Sequence, residues 1–430
     1  MMLLPRMARS SLASALALSA IALFACSDDP PVLGDDDEEL PINQTAGGDN
    51  EGGNGGGSTT PGGETNTNQQ PDDETEQDSR VELLNEVYVL ENNYSPYIEI
   101  EAPENVYSIG ISITEGSALS RYVVTDWTGP DGFQLVPNGW EDGNFLMVCM
   151  QNCNNRVAAQ LPGAFGGLAP NNPNARVDPG THRFRVGRVN MNAMGALYNP
   201  ELANTNPNEV RVTVYANVVH DEVPTQGKLD LNLFFSGANG WTASSAPGDA
   251  SFQQMMTRID QIYDQVGIEI GEVQYYDIDP AFRIIEDMMS GVGDMAEMFA
   301  ESSRAELDGP SVFFVNELRS GGGGGGGMVL GISGGIPGPM FANGSPAGGV
   351  AIATQSSQQL GAPGIAPVTA HELGHYLGLF HTTEQFGFHD PLPDTPENDP
   401  SYLMYFSGSG TNMSEWQGRV MRKNPWVYFD

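Results

Sequence analysis

The chain has 430 residues, with 55 acidic and 18 basic side chains for a formal net charge of −37, and three cysteines. That length allows two ordinary domains plus extensions. The acidity argues against nucleic acid as a partner, because phosphate binding needs a basic surface.

Arg6 and Arg9 precede an apolar run at 11–25, "SLASALALSAIALFA", of signal-peptide length and too short for a comfortable membrane span. The run ends in "LFAC", small residues before a cysteine, which resembles a bacterial lipoprotein signal. Residues 1–26 are read as that signal, with Cys26 lipidated; an ordinary cleaved signal is the alternative. Either reading exports the protein, to the cell envelope or surface with the outer membrane as the expected site, or to release from it. Residues 27–80 carry 15 acids against one arginine and almost no large apolar side chains. Such a segment buries too little surface to offset chain entropy, and its like charges extend it, so it reads as a disordered tether.

From 81 to 225, short β-rich runs such as "EVYVL", "YIEIEA", "YSIGISI", "SRYVVTDW", "FLMVCM", "HRFRVGRV" and "EVRVTVYANVV" alternate with Gly, Pro, Asn and Asp clusters. About seven strands with turns between them predict an all-β, sandwich-like domain. His182 and His220 each stand alone in sequence. Cys149 and Cys153, in "CMQNC", are expected to form a short disulfide in an oxidising compartment. The alternative makes this region an inhibitory pro-segment with one of those thiols capping a metal.

From 226 to 430 the pattern becomes α/β. "KLDLNLFFSG" reads as a strand, and Met255, Ile259, Ile262 and Val266 recur at helical spacing. "EIGEVQYYDI" is a strand, "FRIIEDMM" and "MAEMFAES" read as helical, and "PSVFFVNEL" and "GGVAIATQ" are strands. Seven consecutive glycines at 321–327 form no element of their own, and no Lys-Ser/Thr pair follows them. They read as a surface loop and not as a phosphate cradle.

Four of the six histidines fall in "HELGHYLGLFHTTEQFGFHD", residues 371–390. On a helix, positions i and i+4 lie about 40° apart, so His371 and His375 can reach one ion. Ala370, Leu373 and Leu377 fall on the opposite face and form its dry side. A tight or left-handed turn at Gly378 would end the helix and bring His381 round as a third ligand. Three neutral imidazoles leave one position for water, the open arrangement of a catalytic Zn2+ site. Glu372 is placed to take a proton from that water and pass it to a leaving amine. His389 has no comparable geometric claim. Asn412 followed by Glu415 suggests a capping-box start for a closing helix.

HExxHxxGxxH, with "DPLPDTPENDPSYLMYFSGSG" and "NMSEWQGRVMRKNP" after it, resembles the metzincin zinc metallopeptidases. The Asp-Thr-Pro segment, methionine turn and closing helix with Gln and Arg are similar to the pappalysin branch. The resemblance spans roughly residues 227–430. It implies an α/β (α+β) catalytic domain with a twisted mixed sheet and an active-site helix. It implies one catalytic zinc on His371, His375 and His381, Glu372 as general base, and Met404 as the turn methionine. It also points to Asp390 and Asp394 as candidate Ca2+ ligands. Two residues after Met404, where the branch often has tyrosine, stands Phe406, with tyrosine at 405. The expected activity is cleavage of protein or peptide substrates, with "GGVAIATQ" as the edge strand that a peptide would pair with, and with the membrane contacted through the lipid anchor. The competing expectation is an inactive zinc-binding surface lipoprotein or adhesin.

Overall fold

Alternating apolar residues organise the first half of the chain into two antiparallel sheets. One runs in the order β1 (Ser79–Val89), β9 (Glu209–Val218), β3 (Val106–Thr114), β7 (Phe165–Ala169). The other runs β2 (Ile98–Ala102), β8 (Gly180–Asn190), β4 (Ser120–Thr128), β5 (Gln134–Val136). Both feed one core: Ile109, Ile111 and Ile113 of β3 and Val210, Val212 and Val214 of β9 meet Ile98, Tyr122, Val124, Phe184 and Val186. β7, "FGGLA", escapes a search for β-branched runs because two of its five residues are glycine. His182 is buried here; it accepts from Trp127 Nε1 at 3.3 Å on Nδ1 and contacts Asp178 O through Nε2 at 2.7 Å. These are packing contacts.

This computed structural model describes residues 79–136, 159–160, 162–190, 208–220, 222–288, 291–319, 329–355, 364–383 and 389–429. The readings of the signal, Cys26, Cys149, Cys153, "FLMVCM" and the glycine run at 321–327 lie outside them, as does the tether up to residue 78; its last two residues, Ser79 and Arg80, belong to β1 and pair with Val218 and Asn217.

The second half is mixed α/β. Its five-stranded sheet has the order β11 (Ile268–Asp277), β10 (Gly227–Phe235), β13 (Ser311–Val315), β17 (Val350–Ala353), β15 (Gly331–Ser333). All neighbours are parallel except β15, which pairs antiparallel with β17. The continuous apolar runs of β13 and β17 suit strands covered on both faces. Leu233, Phe235, Phe314 and Ile352 point to one side, packing on α1 (Ala250–Asp264). Phe234, Phe313, Val315 and Ala351 point to the other, against Met295, Met298 and Phe299 of α2 (Asp294–Ala300). The predicted spacing holds: Met255, Ile259 and Ile262 on α1 and Val266 just past its end are all buried.

Three local expectations change. "FRIIEDMM" is not helical: Pro280–Arg283 is a 3-10 turn, and Ile284–Ile285 form strand β12, paired with β14 (Glu317–Leu318). "GGVAIATQ" supplies β17, an interior strand between β13 and β15, and β15 is the edge. The closing helix α4 (Glu415–Arg422) is capped by Ser414 with Gln417, one of the stronger N-cap pairings, while Asn412 is engaged with Ser401.

The two halves meet through small residues. Along β3, Ser108, Gly110 and Ser112 alternate with the core isoleucines and turn the other way. Ser108 Oγ donates to Lys423 O at 2.6 Å and Ser112 Oγ to Met340 O at 2.8 Å. On β7 the approach is backbone to backbone: a Cβ at Gly166 would lie 2.7 Å from Pro337 O and closer still to Gly338 O. Carbonyls cannot rotate away, so Gly166→Ala should destabilise the protein by about 1–3 kcal/mol. Thermal unfolding checks this, and an unchanged midpoint would contradict the close docking.

Candidate metal centre

α3 (Ile365–Tyr376) carries "HELGH" on its last two turns. Pro367 sits in the first turn, where its missing N–H costs no helical bond. Ala370, Leu373 and Leu377 pack in the core as the expected dry side, and the ligand side is covered as well, since all 12 residues are buried. Tyr263 donates to Ala370 O, Gly338 N to Tyr376 O, and the chain at 403–404 covers His371, so each side of the helix has a neighbour.

The helix then ends as the glycine suggested. Gly378 has φ 110°, its N–H donates to His375 O, and Leu379 N–H donates to Gly374 O, both at 2.9 Å. This Schellman arrangement needs a residue without a Cβ penalty at 378. It reverses the chain within three residues and returns His381 to the helix. Nε2 of His381 lies 3.2 Å from Nε2 of His371 and 3.1 Å from Nε2 of His375.

The opposite ring nitrogens explain why these three atoms converge. Nδ1 of His371 faces Leu403 O at 2.5 Å, and Nδ1 of His375 faces Leu379 O at 2.7 Å. A carbonyl only accepts, so each Nδ1 must carry the proton, and in a neutral ring Nε2 is left with its lone pair. Burial lowers the pKa of His371 to about 3, with His381 adding to the shift, and burial and both neighbouring rings lower that of His375. Both rings are therefore neutral at pH 7. His381 Nε2 can offer at most one proton to the two lone pairs that face it. At least one of the short contacts has no hydrogen to bridge it. A cation between the three nitrogens satisfies them all. Nitrogens bound at ~2.0–2.1 Å to one tetrahedral ion stand about 3.3–3.4 Å apart, close to the separations found. The three histidines could hold a metal ion, and they are the one such group of three or more His, Cys, Asp or Glu among the described residues.

Glu372 is fully buried beside this cluster. Its side chain lies against β15: a Cβ at Gly331 would come within 2.5 Å of Glu372 Cγ and 2.9 Å of Oε1. Met404 is buried, with Sδ against α3 where Gly374 leaves room, 2.7 Å from where a Cβ would stand. The same turn supplies Leu403 O to His371 and receives Thr382 N–H at Met404 O, 2.7 Å.

The other predicted residues lie elsewhere. His389 contacts Thr383 Oγ1 at 3.0 Å and Glu397 at 3.4 Å and is not in the cluster. Asp390 Oδ1 accepts from Thr395 Oγ1 at 2.5 Å and Leu392 N at 3.2 Å. Asp394 Oδ2 accepts from Trp416 N at 3.1 Å, in the first turn of α4. The rings of Tyr405 and Phe406 meet at a tilt of 38°, centroids 4.6 Å apart.

Sequence reasoning missed Leu403 O, Leu379 O and Gly331. Backbone acceptors leave no trace in residue identity, and Gly331 is lost among neighbouring glycines. Gly331→Ala should displace the Glu372 carboxylate while leaving the histidines in place. Misplacement on the order of 1 Å costs about 10²-fold in rate. Metal content and peptide turnover of this variant, compared side by side, separate the two effects; metal loss would mean that Gly331 supports the cluster instead.

No family model matches the chain, and no curated protein matches it. Among solved structures it is similar to metalloproteinase-II from Bacteroides fragilis, at 13% identity and a TM-score of 0.31. The match covers 50% of this chain and 62% of that one, less than two thirds of its length. A likeness this slight carries over neither fold nor activity.

Proposed function

We propose that the chain is an exported zinc endopeptidase of the metzincin type, close to the pappalysin branch, in which His371, His375 and His381 hold the metal and Glu372 is the general base. The observation that carries this reading is the convergence of three buried imidazoles, His381 Nε2 lying 3.1–3.2 Å from the other two Nε2 atoms, beside a buried carboxylate. When bound, zinc supplies Lewis acidity, which polarises a carbonyl and acidifies water. Leu403 O and Leu379 O fix the tautomer and aim of the two helical imidazoles. Glu372 takes a proton from the attacking water and returns it to the departing nitrogen. The peptide C–N bond breaks, the hydroxyl stays on the carbonyl carbon, and the amine leaves with its added proton. An extended peptide pairs with the outer edge of β15, which runs beside Glu372. Met404 serves as the turn methionine beneath the ligands. Cys26 anchors the protein to lipid, and residues 27–80 hold the body off the membrane.

A second reading, a non-catalytic zinc-binding surface protein, is favoured by one feature: the histidines and Glu372 are 0–2% exposed. Incubating the purified protein with a peptide library, with and without phenanthroline, decides between them. Zinc is measured on the same sample. Cleavage that the chelator abolishes supports the peptidase; bound zinc with no cleavage supports the second reading.

A further inference from the structure

β7 faces two ways. In its register with β3, Phe165 lies opposite Ile113, Gly167 opposite Ile111 and Ala169 opposite Ile109, on the side of the first-half core. Successive residues of a strand alternate faces, so Gly166 and Leu168 turn toward the second half. Leu168 is buried in the second-half core with Leu377, Leu379 and Val420; among the described residues it is the one member of that core from the first half. Two segments of the metal centre rest on this strand. The first is the end of α3. β16 (Gly335–Ile336) pairs antiparallel with β6 (Ala159–Gln160), and the next residues, Pro337 and Gly338, meet the backbone of Gly166. Gly338 N donates to Tyr376 O at 2.9 Å, and Tyr376 Oη donates to Pro339 O at 3.2 Å. The residue after His375 is thus held by a segment that is itself docked on the first half. The second is the turn that leads to His381. A Cβ at Gly378 would stand 3.2 Å from Leu168 Cδ2, 3.7 Å from Val420 Cγ1 and 3.9 Å from Pro337 Cβ. Asn171, two residues past β7, lines a small cavity with Gly378, Leu379 and Phe380.

We propose that Leu168 is a positioning residue of the metal centre, which makes the first half of the chain a working part of that centre and not a removable pro-segment. The inference rests on the reading of His371, His375 and His381 as metal ligands. Leu168 acts through the turn at 378–380. That short run has two tasks: it presents Leu379 O to His375 Nδ1 at 2.7 Å, and it returns His381 Nε2 to 3.1 Å from His375 Nε2. Its first residue is a glycine, whose backbone adopts many conformations, so φ 110° at Gly378 is not enforced by residue 378 itself. Leu168, Pro337 and Val420 fill the space into which a shifted turn would move. Taking the Leu168 side chain away opens a cavity beside the glycine, and the turn can relax into it. The third ligand and the acceptor that aims the second then move together. A second half separated from the first would lack this support and bind zinc weakly, whereas removal of an inhibitory segment would leave the metal in place.

The test measures zinc affinity of the purified full chain by competition with a chelator of known affinity. The visible absorption of the Co2+-substituted protein reports ligand geometry on the same variants. Leu168→Ala is expected to lower zinc affinity by about 10–100-fold, the usual effect of losing a group that orients a ligand, and to alter the Co2+ spectrum. Leu168→Met keeps the volume and should restore both. Val186→Ala is the comparison, since Val186 is as deeply buried but sits on β8, in the sheet that does not contain β7. It should lower the unfolding temperature and leave zinc affinity and the Co2+ spectrum unchanged. A folded Leu168→Ala with wild-type affinity and spectrum overturns the proposal. So does an equal loss of affinity in Val186→Ala, which would make the effect one of general stability. Should Leu168→Ala fail to fold, Leu168→Val takes its place, with a smaller loss expected and an unchanged affinity again decisive against the proposal. A wild-type protein that binds no zinc overturns the metal reading itself, a result distinct from all of these.

Discussion

Glu372→Gln is expected to keep stoichiometric zinc and to lose peptide cleavage by about 10²–10⁴-fold, the usual contribution of a positioned general base. The substitution is nearly isosteric, which matters because Glu372 is fully buried and its Cγ is already close to β15. An alanine there would leave a cavity and confuse loss of packing with loss of chemistry. Glutamine preserves the volume and one oxygen but cannot accept and return a proton. The three ligand nitrogens do not depend on residue 372, so metal content should be unchanged. Zinc analysis and turnover on one preparation check both halves. Activity equal to the wild type would remove Glu372 from the mechanism.

His381→Ala is expected to lower zinc affinity by more than the ~10–100-fold that follows loss of a mere supporting partner. Both short Nε2 contacts run through His381, at 3.2 and 3.1 Å, and the other two imidazoles cannot close the site alone. The zinc-dependent rise in unfolding temperature should shrink with it, because stabilisation follows the ratio of free metal to dissociation constant. His389→Ala is the matched comparison, since that ring pairs with Thr383 and Glu397 outside the cluster and its loss should leave zinc affinity unchanged. A reversed result would move the third ligand to His389.

The cluster was the most legible part of the chain. Two spacings carried it: a step of four residues from His371 to His375 on a helix, and a glycine three residues before His381. Both depend only on local backbone geometry, which sequence encodes directly. The longer strands of the first half were read for the same reason, through period-2 alternation; β5, only three residues long, and β7, where two glycines erased the pattern, were not. The helix predicted over "FRIIEDMM" failed because apolar runs of that length fit a helix or a short strand equally well. The cap assigned to Asn412 failed because Ser414 and Gln417 satisfy the same spacing rule two residues later.

The sequence by itself determined which side chains can share a metal ion, since helix pitch and a glycine turn act over a dozen residues. Tertiary structure alone decided which way those side chains point and what borders them. The proton on each helical imidazole is placed by a carbonyl, Leu403 O from 32 residues away and Leu379 O from the turn. The edge strand is β15 and not β17, because strand order in a sheet is settled by packing across the whole domain. Gly335–Ile336, just past it, pair with Ala159–Gln160 from more than 170 residues earlier in the chain. Contacts of that range depend on how two bodies dock, and no local pattern of residues records them.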